Sequence, residues 1–363
     1  MLLILLIVVG FGLYLLDKYS IKHAFDGIDY DISPSRKLVE IDEEFVLETT
    51  LTNTKRLPVE FLRTGEILPE SIMLPEGEFS LVKYQRGAAL VSDTYLLARQ
   101  KLTRTLKATL PRRGRYFLWG ATLTAGSFLG LSEKVKEFHL VREIVLPPKA
   151  IQTLQLKQLL GRFIGDISVN RFILEDPVLT IGFRDYTDRD PMRSISWKQT
   201  ARFNKLMVKN YDHTLDLTVT IILNVDMSSG DAEAKLEPLF SMTRTVCDFL
   251  EASEIPYRFV TNAAVDGTAR KSVIPDGLGN DHLLTVLELL GRATYHRYES
   301  FVEMIAKIAH GAEQGRAHIL LTPEIDAAAE PFLYKLRART GKETLIITPD
   351  MAENDEEPIA LAI

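Results

Sequence analysis

The sequence has little of what marks most metalloproteins and hydrolases. It holds one cysteine, Cys247, so an intrachain disulfide and paired-cysteine zinc sites are excluded. Its seven histidines (23, 139, 213, 282, 296, 310 and 318) are scattered, none at H-x-x-x-H spacing. Basic residues are in deficit, 43 Lys and Arg against 49 Asp and Glu, and no Lys/Arg block with interleaved aromatics occurs. A net charge of −6 without such a block argues against nucleic acid as a partner. Internal repeats are absent, and the acidic run ENDEE (353–357) reads as a solvated end.

What is present is the balance of a folded protein. Apolar residues make up 46% and charged residues 25% of 363, enough chain for two or three domains. Cys247 lies in an apolar helical pattern with Phe240, Val246, Phe249 and Leu250, where a free cysteine serves as a small packing residue. A body without disulfides fits a reducing compartment.

Charge is also missing from residues 1–16, MLLILLIVVGFGLYLL. A helix of that length reaches about 24 Å against a hydrocarbon core of about 30 Å, which makes it a short membrane span. Lys18 and Lys22 are placed to snorkel to the interface, with Tyr14 and Tyr19 as interfacial aromatics. A secretory signal and an N-terminal core element are the competing readings. The signal lacks a basic region ahead of the run and a small-x-small cleavage site behind it. Lys18, Lys22 and His23 follow the segment, so the positive-inside rule places the body in the cytoplasm.

Residues 17–147 read as an antiparallel β-sandwich. Short alternating runs such as FVLETTLTN (45–53), FSLVKYQ (79–85), LKATL (106–110), RYFLWGATLT (115–124) and EFHLVREIVL (137–146) are cut by turns. Residues 148–214 form a linker, in which PPKAIQTLQLKQLLGR turns from loop to helix. From 215 to 363 the period changes. LDLTVTIILNV (215–225) is a β-branched run of the kind buried on both faces of a parallel sheet. Helical patterns at 231–252, 282–293, 301–312 and 326–340 alternate with the strands YRFVTN, HILLTP and TLIITP. That alternation predicts a doubly wound α/β domain, whose ligands sit beyond the carboxyl ends of the strands. The chain is thus expected to be all-β plus α/β, behind a membrane segment.

The first α/β strand ends in Asp226-Met227-Ser228-Ser229-Gly230. A carboxylate with hydroxyls two and four residues on suits a hard divalent cation, which is the logic of the metal-ion-dependent adhesion site D-x-S-x-S. Asp226 and Ser228 match, whereas Gly230 brings no side-chain oxygen. The later carboxylate of the pattern would be Glu324, in LLTPEID, or Asp326, and Thr285 is the threonine at hand. The alternative is that Asp226 and Ser228 cap the following helix. If metal binds here it is Mg²⁺, weakly.

The stretch RDYTDRDPMRSISWKQTAR mixes Arg184, Asp185, Asp188, Arg189, Asp190, Arg193, Lys198 and Arg202 with Tyr186 and Trp197. It has neither the basic excess nor the Gly-rich turn of a phosphate site. Each carboxylate has an arginine nearby in sequence, and such pairing does not suit acid–base work. The expected role is structural, with Arg forks on carboxylates or carbonyls and Trp197 packed as an apolar plate; partner contact and catalysis are the alternatives.

The pattern R-D-Y-x-x-x-D-x-x-R-x-I-x-W-K-x-x-A-R over 184–202, followed by LMVKNYD and a strand ending in D-x-S, resembles the bacterial and archaeal family called domain of unknown function 58. Arg184, Tyr186, Asp190, Arg193, Ile195, Trp197, Ala201 and Arg202 match its signature; Arg189 stands where the family usually has Gly. Upstream, RRGRYFLWG (112–120) and GSFLGL (126–131) are similar to its basic-Gly-aromatic strand and its D-P-F-G-L run, with Ser127 in place of Asp. The resemblance implies a membrane anchor, a β-sandwich and a von Willebrand factor A-like domain. It also implies a role as adaptor or co-chaperone for a MoxR-type AAA+ ATPase. Two departures are the single short segment, where many members have a helical hairpin, and the eroded metal motif at Gly230. The expectation is a membrane-anchored, non-enzymatic scaffold in the inner (cytoplasmic) membrane; the alternatives are a metal-dependent hydrolase and an envelope adhesion or structural protein.

Overall fold

The computed structural model describes residues 2–75, 80–84, 87–151, 153–171, 180–187, 192–211, 217–267 and 272–352. It is a mixed α/β structure with an N-terminal apolar helix. The chain divides into two compact units, Met1–Lys149 with Glu288–Arg292, and Ala150–Leu287 with Ala293–Ile363.

The first unit opens with α1 (Leu2–Lys22), long and apolar enough to cross a membrane. The helix does not stop where the uncharged run stops. It continues through Asp17 and Lys18 for 21 residues in all, about 31 Å of rise. Eight strands follow: β1 (Ile28–Pro34), β2 (Phe45–Asn53), β3 (Val59–Leu68), β4 (Ser80–Tyr84), β5 (Gly87–Leu96), β6 (Lys101–Ala108), β7 (Gly114–Gly126) and β8 (Glu133–Leu146). They form two antiparallel sheets, ordered β1-β2-β6 and β4-β5-β3-β7-β8. Alternation drives both. In β2 the residues Phe45, Leu47 and Leu51 point inward and join Ile32, Leu62, Leu90 and Leu118 in one core shared by the two sheets. At the irregularity between β7 and β8, Gly120 takes φ 94°, and a Cβ there would lie 1.9 Å from the Phe138 carbonyl oxygen, so only glycine fits.

The second unit contains α2 (Leu154–Arg171), β9 (Thr180–Asp185), a 3₁₀ turn (Met192–Ser194), α3 (Trp197–Phe203) and β10 (Met207–Tyr211). Then come β11 (Val219–Leu223), α4 (Ala232–Ala252), β12 (Tyr257–Thr261), β13 (Ala263–Val265), β14 (Val273–Gly277), α5 (Asn280–Arg292, of which Glu288–Arg292 group with the first unit), β15 (Ala293–Arg297), α6 (Phe301–His310), β16 (Ala317–Leu321), α7 (Glu330–Thr340) and β17 (Thr344–Ile347). Its main sheet is ordered β14-β12-β11-β16-β17. β12, β11, β16 and β17 run parallel, and β14 closes one edge antiparallel. The run 215–225 does become a strand buried on both faces. Ile222, Val260 and Leu320 pack against Phe301, Met304 and Ile305 of α6 and Leu336 of α7. The alternate residues Ile221, Phe259 and Ile319 are buried as well, and α4 lies against β11. Cys247 is fully buried in α4, and burial pushes its thiol pKa up, which suits an inert packing residue.

The sheet also buries a histidine. His318 of β16 sits beside Thr220 of β11, with the Arg316 guanidinium close by. Burial first, and then Arg316, lower its pKa from the ordinary 6.5 to about 4. The unfolded chain therefore takes up a proton near pH 6.5 that the folded chain accepts only near pH 4. Stability is full above the higher value and is lost as pH falls through this window, by at most about 3 kcal/mol. Denaturant melts of wild type and His318→Gln at pH 7 and pH 4.5 should show a larger acid loss in wild type; equal losses would refute this assignment.

Candidate functional site

Three neighbouring parallel strands end in polar residues: Asn224 after β11, Asn262 after β12 and Thr322 after β16. All three are buried, and they satisfy one another. Asn224 Nδ2 donates to Thr322 Oγ1 at 3.0 Å, and Asn262 Nδ2 donates to Asn224 Oδ1 at 2.8 Å. The backbone joins in, with Val225 N–H donating to Asn262 Oδ1 at 2.9 Å and Asp226 N–H to Asn224 Oδ1 at 2.8 Å. Buried amides of this kind hold position only when their bonds are complete. Here they fix the turn that presents Asp226.

Above the network lies a crevice of about 540 Å³, lined among others by Asp226, Ser228, Arg297, Phe301, Glu324 and Asp326. It stands at the carboxyl ends of the strands, where the α/β alternation predicts a site. Asp226 accepts a short charge-assisted bond from the Arg297 guanidinium, at the end of β15. Its Oδ2 also accepts from the Phe301 backbone N–H at 3.2 Å, at the first turn of α6. Glu324 takes both bonds from Ser228: the backbone N–H reaches Oε1, and Oγ reaches Oε2 at 2.9 Å. Asp326 accepts from Ala328 N–H at 2.9 Å.

Asp226, Ser228 and Glu324 are thus brought together, but not in the roles foreseen. Neither Asp226 nor Ser228 caps α4. Asp231 does, accepting from Glu233 N–H at 3.0 Å and Ala234 N–H at 3.5 Å. Gly230 takes φ 114°, a conformation that disfavours the serine of the full motif. Thr285 lies on α5, bonded to the Asp281 carbonyl oxygen at 2.8 Å, and does not line the crevice. These residues do not fit a divalent cation. The position beside Asp226 is filled by a guanidinium, both Glu324 oxygens are engaged, and no third oxygen comes from Gly230. Among the described residues no group of three or more His, Cys, Asp or Glu side chains is placed to hold a metal.

Arg297 and the amides Asn224 and Asn262 were missed from sequence. The amides left a signal, a polar residue closing each buried strand. Arg297 left none, because it meets Asp226 only through the fold.

A second cavity, about 450 Å³, is lined in part by Arg258, Lys307, Arg316 and His318. Its cations are already paired. Arg316 bonds Asp276 at 2.7 and 3.0 Å, Arg258 bonds Asp276 at 2.8 Å, and Lys307 bonds Glu299. Hydrogen bonds from Arg316 lead the effects that hold the Asp276 carboxyl below the usual range.

The 184–202 signature forms a small ribbon of its own. β9 pairs antiparallel with β10, Ile195 bridges to Val208, and Ser196 N–H donates to the Met207 carbonyl at 2.8 Å. Ile195 is buried, and Tyr186 is half-buried with its N–H on the Leu206 carbonyl. Trp197 is not the packed plate expected: it is 65% exposed, and Arg184 and Arg202 are exposed too. Asp188, Arg189 and Asp190 lie outside the described residues, as does the side chain of Arg193.

Strand order and crevice together define a mixed α/β domain with a cleft at its strand ends. Residues 182–353 match the model of a family described as Protein of unknown function DUF58, which bears out the family resemblance over that part of the chain. No curated protein matches. Solved structures similar to this chain include a cohesin module of a Clostridium perfringens family 33 glycoside hydrolase, 10% identical over 33% of this chain and 96% of that one, with a TM-score of 0.26. A CARDB domain from Pyrococcus furiosus is 12% identical over 33% of this chain and 86% of that one, with a TM-score of 0.22. The sporulation control protein Spo0M of Bacillus subtilis is 10% identical over 44% of this chain and 58% of that one, with a TM-score of 0.20. Likeness at these scores supports no conclusion about this chain.

Titration calorimetry with Mg²⁺ and Mn²⁺ should show no saturable heat that depends on Asp226. Arg297→Ala should cost at most about 1 kcal/mol of stability, as expected for a half-exposed ion pair. Saturable metal binding by wild type that Asp226→Ala abolishes would contradict the assignment of Arg297 as the internal counter-ion.

Proposed function

We propose that the protein is a membrane-anchored, non-enzymatic adaptor. It presents a von Willebrand factor A-like domain to a MoxR-type AAA+ ATPase, in the assembly or maturation of protein complexes. In this reading α1 crosses the inner (cytoplasmic) membrane once and the two units stand in the cytoplasm.

The observation that carries the reading is the exposure of the signature ribbon. Like Trp197, the side chains of Phe183, Met192, Phe203 and Leu206 are exposed, and so are those of Arg184 and Arg202. Trp, Met, Phe and Arg are the residue types enriched in protein interfaces, and Trp and Arg dominate their hot spots. A ribbon serving only to lock a linker would bury them. The crevice supports the same reading, since its carboxylates are engaged by Arg297, Ser228 and backbone N–H groups, a set that holds a shape.

The test is affinity purification of the full chain from native membranes. Wild type should retain an AAA+ ATPase. The double variant Trp197→Ala, Phe203→Ala should lose it about tenfold or more, the loss of a hot spot worth at least about 1.4 kcal/mol. Recovery of no ATPase by wild type, or equal recovery by the variant, would overturn the proposal.

A further inference from the structure

The β7–β8 connection, Ser127 to Ser132 with sequence SFLGLS, is a closed loop. Ser127 N–H donates to the Ser132 carbonyl at 2.8 Å, Gly130 N–H to the Ser127 carbonyl at 2.9 Å, and Ser132 N–H to Ser127 Oγ at 3.1 Å. A loop so fixed could hold polar residues at its tip. Instead Phe128 and Leu129 are each 43% exposed and Leu131 is 69% exposed. An exposed apolar cluster on a fixed loop marks a contact surface.

What covers it is set by its neighbour. Asp17 of α1 is 3% exposed, and its Oδ1 accepts the Leu129 backbone N–H at 2.8 Å. A second tie runs from Lys134 Nζ to the Lys22 carbonyl at 2.9 Å. The loop is therefore held beside the residue that ends the uncharged part of α1. That part, residues 2–16, rises about 22 Å, roughly 8 Å short of a hydrocarbon core of about 30 Å. A span this short is accommodated by thinning the bilayer and by snorkelling of its flanking residues, which brings what is tied to the end of the span close to the headgroup region. The surroundings have the composition of that region. Tyr14 and Tyr19 are exposed, Lys18 lies over the Tyr14 ring at 5.8 Å, and Lys18, Lys22 and Lys134 are exposed basic residues. Asp17 enters it with its charge hydrogen-bonded rather than bare.

We infer that Phe128, Leu129 and Leu131 insert into the headgroup–acyl boundary of the bilayer that α1 spans, next to anionic headgroups drawn by Lys18, Lys22 and Lys134. The inference rests on α1 as a membrane span. It adds a second membrane contact, made by the β-sheet unit itself, that fixes how this unit is carried at the surface.

The experiment uses the full chain in phosphatidylcholine–phosphatidylglycerol vesicles. Buried Cys247 is shielded from labelling, so each variant carries one reactive thiol: Val8→Cys in the span, Leu131→Cys in the loop, and Met73→Cys, an exposed position of the same unit bridged to Thr109, at the end of the sheets away from the loop. A polarity-sensitive fluorophore on each thiol is read with brominated lipids. Labels at 8 and 131 should be quenched several-fold and blue-shifted, with 73 unaffected. If 8 is quenched while 131 behaves as 73, the loop inference is overturned and the anchor stands. If 8 is not quenched either, the anchor reading fails and the loop inference with it. Shielding of 131 in native membranes but not in vesicles would overturn the lipid contact in favour of a protein partner.

Discussion

The carboxamide of Asn224 bonds to both neighbouring strands at once, donating to Thr322 beyond β16 and accepting from Asn262 beyond β12. The same oxygen receives the Asp226 N–H, and the Asn224 N–H donates to the Leu321 carbonyl at 2.8 Å. Each of these groups is buried, so each would cost free energy if left without its partner. Three strand ends are thereby locked in register by side chains, at the point where the backbone ladder runs out. The turn 224–228, the placing of Asp226 and the floor of the crevice all follow from that lock.

On this floor the protein has solved a charge problem internally. A carboxylate at a strand end, partly shielded from water, needs a counter-charge. A divalent cation would supply it in the full D-x-S-x-S arrangement. Here Arg297 and the first turn of α6 supply it, and Ser228 turns its donors on Glu324. The consequence is a cleft whose carboxylates are held by partners from the chain itself. That property suits a surface for protein contact, where preorganisation lowers the ordering cost of binding. In the reading proposed above, the exposed ribbon of Trp197, Phe203 and the signature arginines is the adhesive part, and the cleft a neighbour within the same unit.

Much of the second unit was legible in the sequence because its strands are buried on both faces. VTIIL, YRFVT and AHILL are short, largely buried runs dominated by apolar residues and separated by amphipathic helices, and each closes on the polar residue that builds the crevice floor. In the first unit β2 was legible from strict alternation, whereas β3 and β5 were not. In β3 the buried Glu66, which pairs with Arg104 at 2.5 Å, breaks the apolar period. The helix was expected to end with the uncharged run at residue 16, yet it runs on to Lys22, and the buried Asp17 accepts the distant Leu129 N–H. Trp197 was expected inside because a large aromatic carries much apolar area. Its exposure is a property of the ribbon's place in the fold, which local pattern does not encode. Arg297 shows the same limit, meeting its partner across a separation of 71 residues.

In the function proposed above, the signature ribbon is the face that meets the partner. Site-directed photo-cross-linking in native membranes tests it most directly. A photoreactive residue is placed at Trp197 and, for comparison, at Tyr334, an exposed aromatic on α7. A specific adduct with an AAA+ ATPase is expected from position 197 and none from position 334. Equal adducts from both positions, or no adduct from 197, would contradict it.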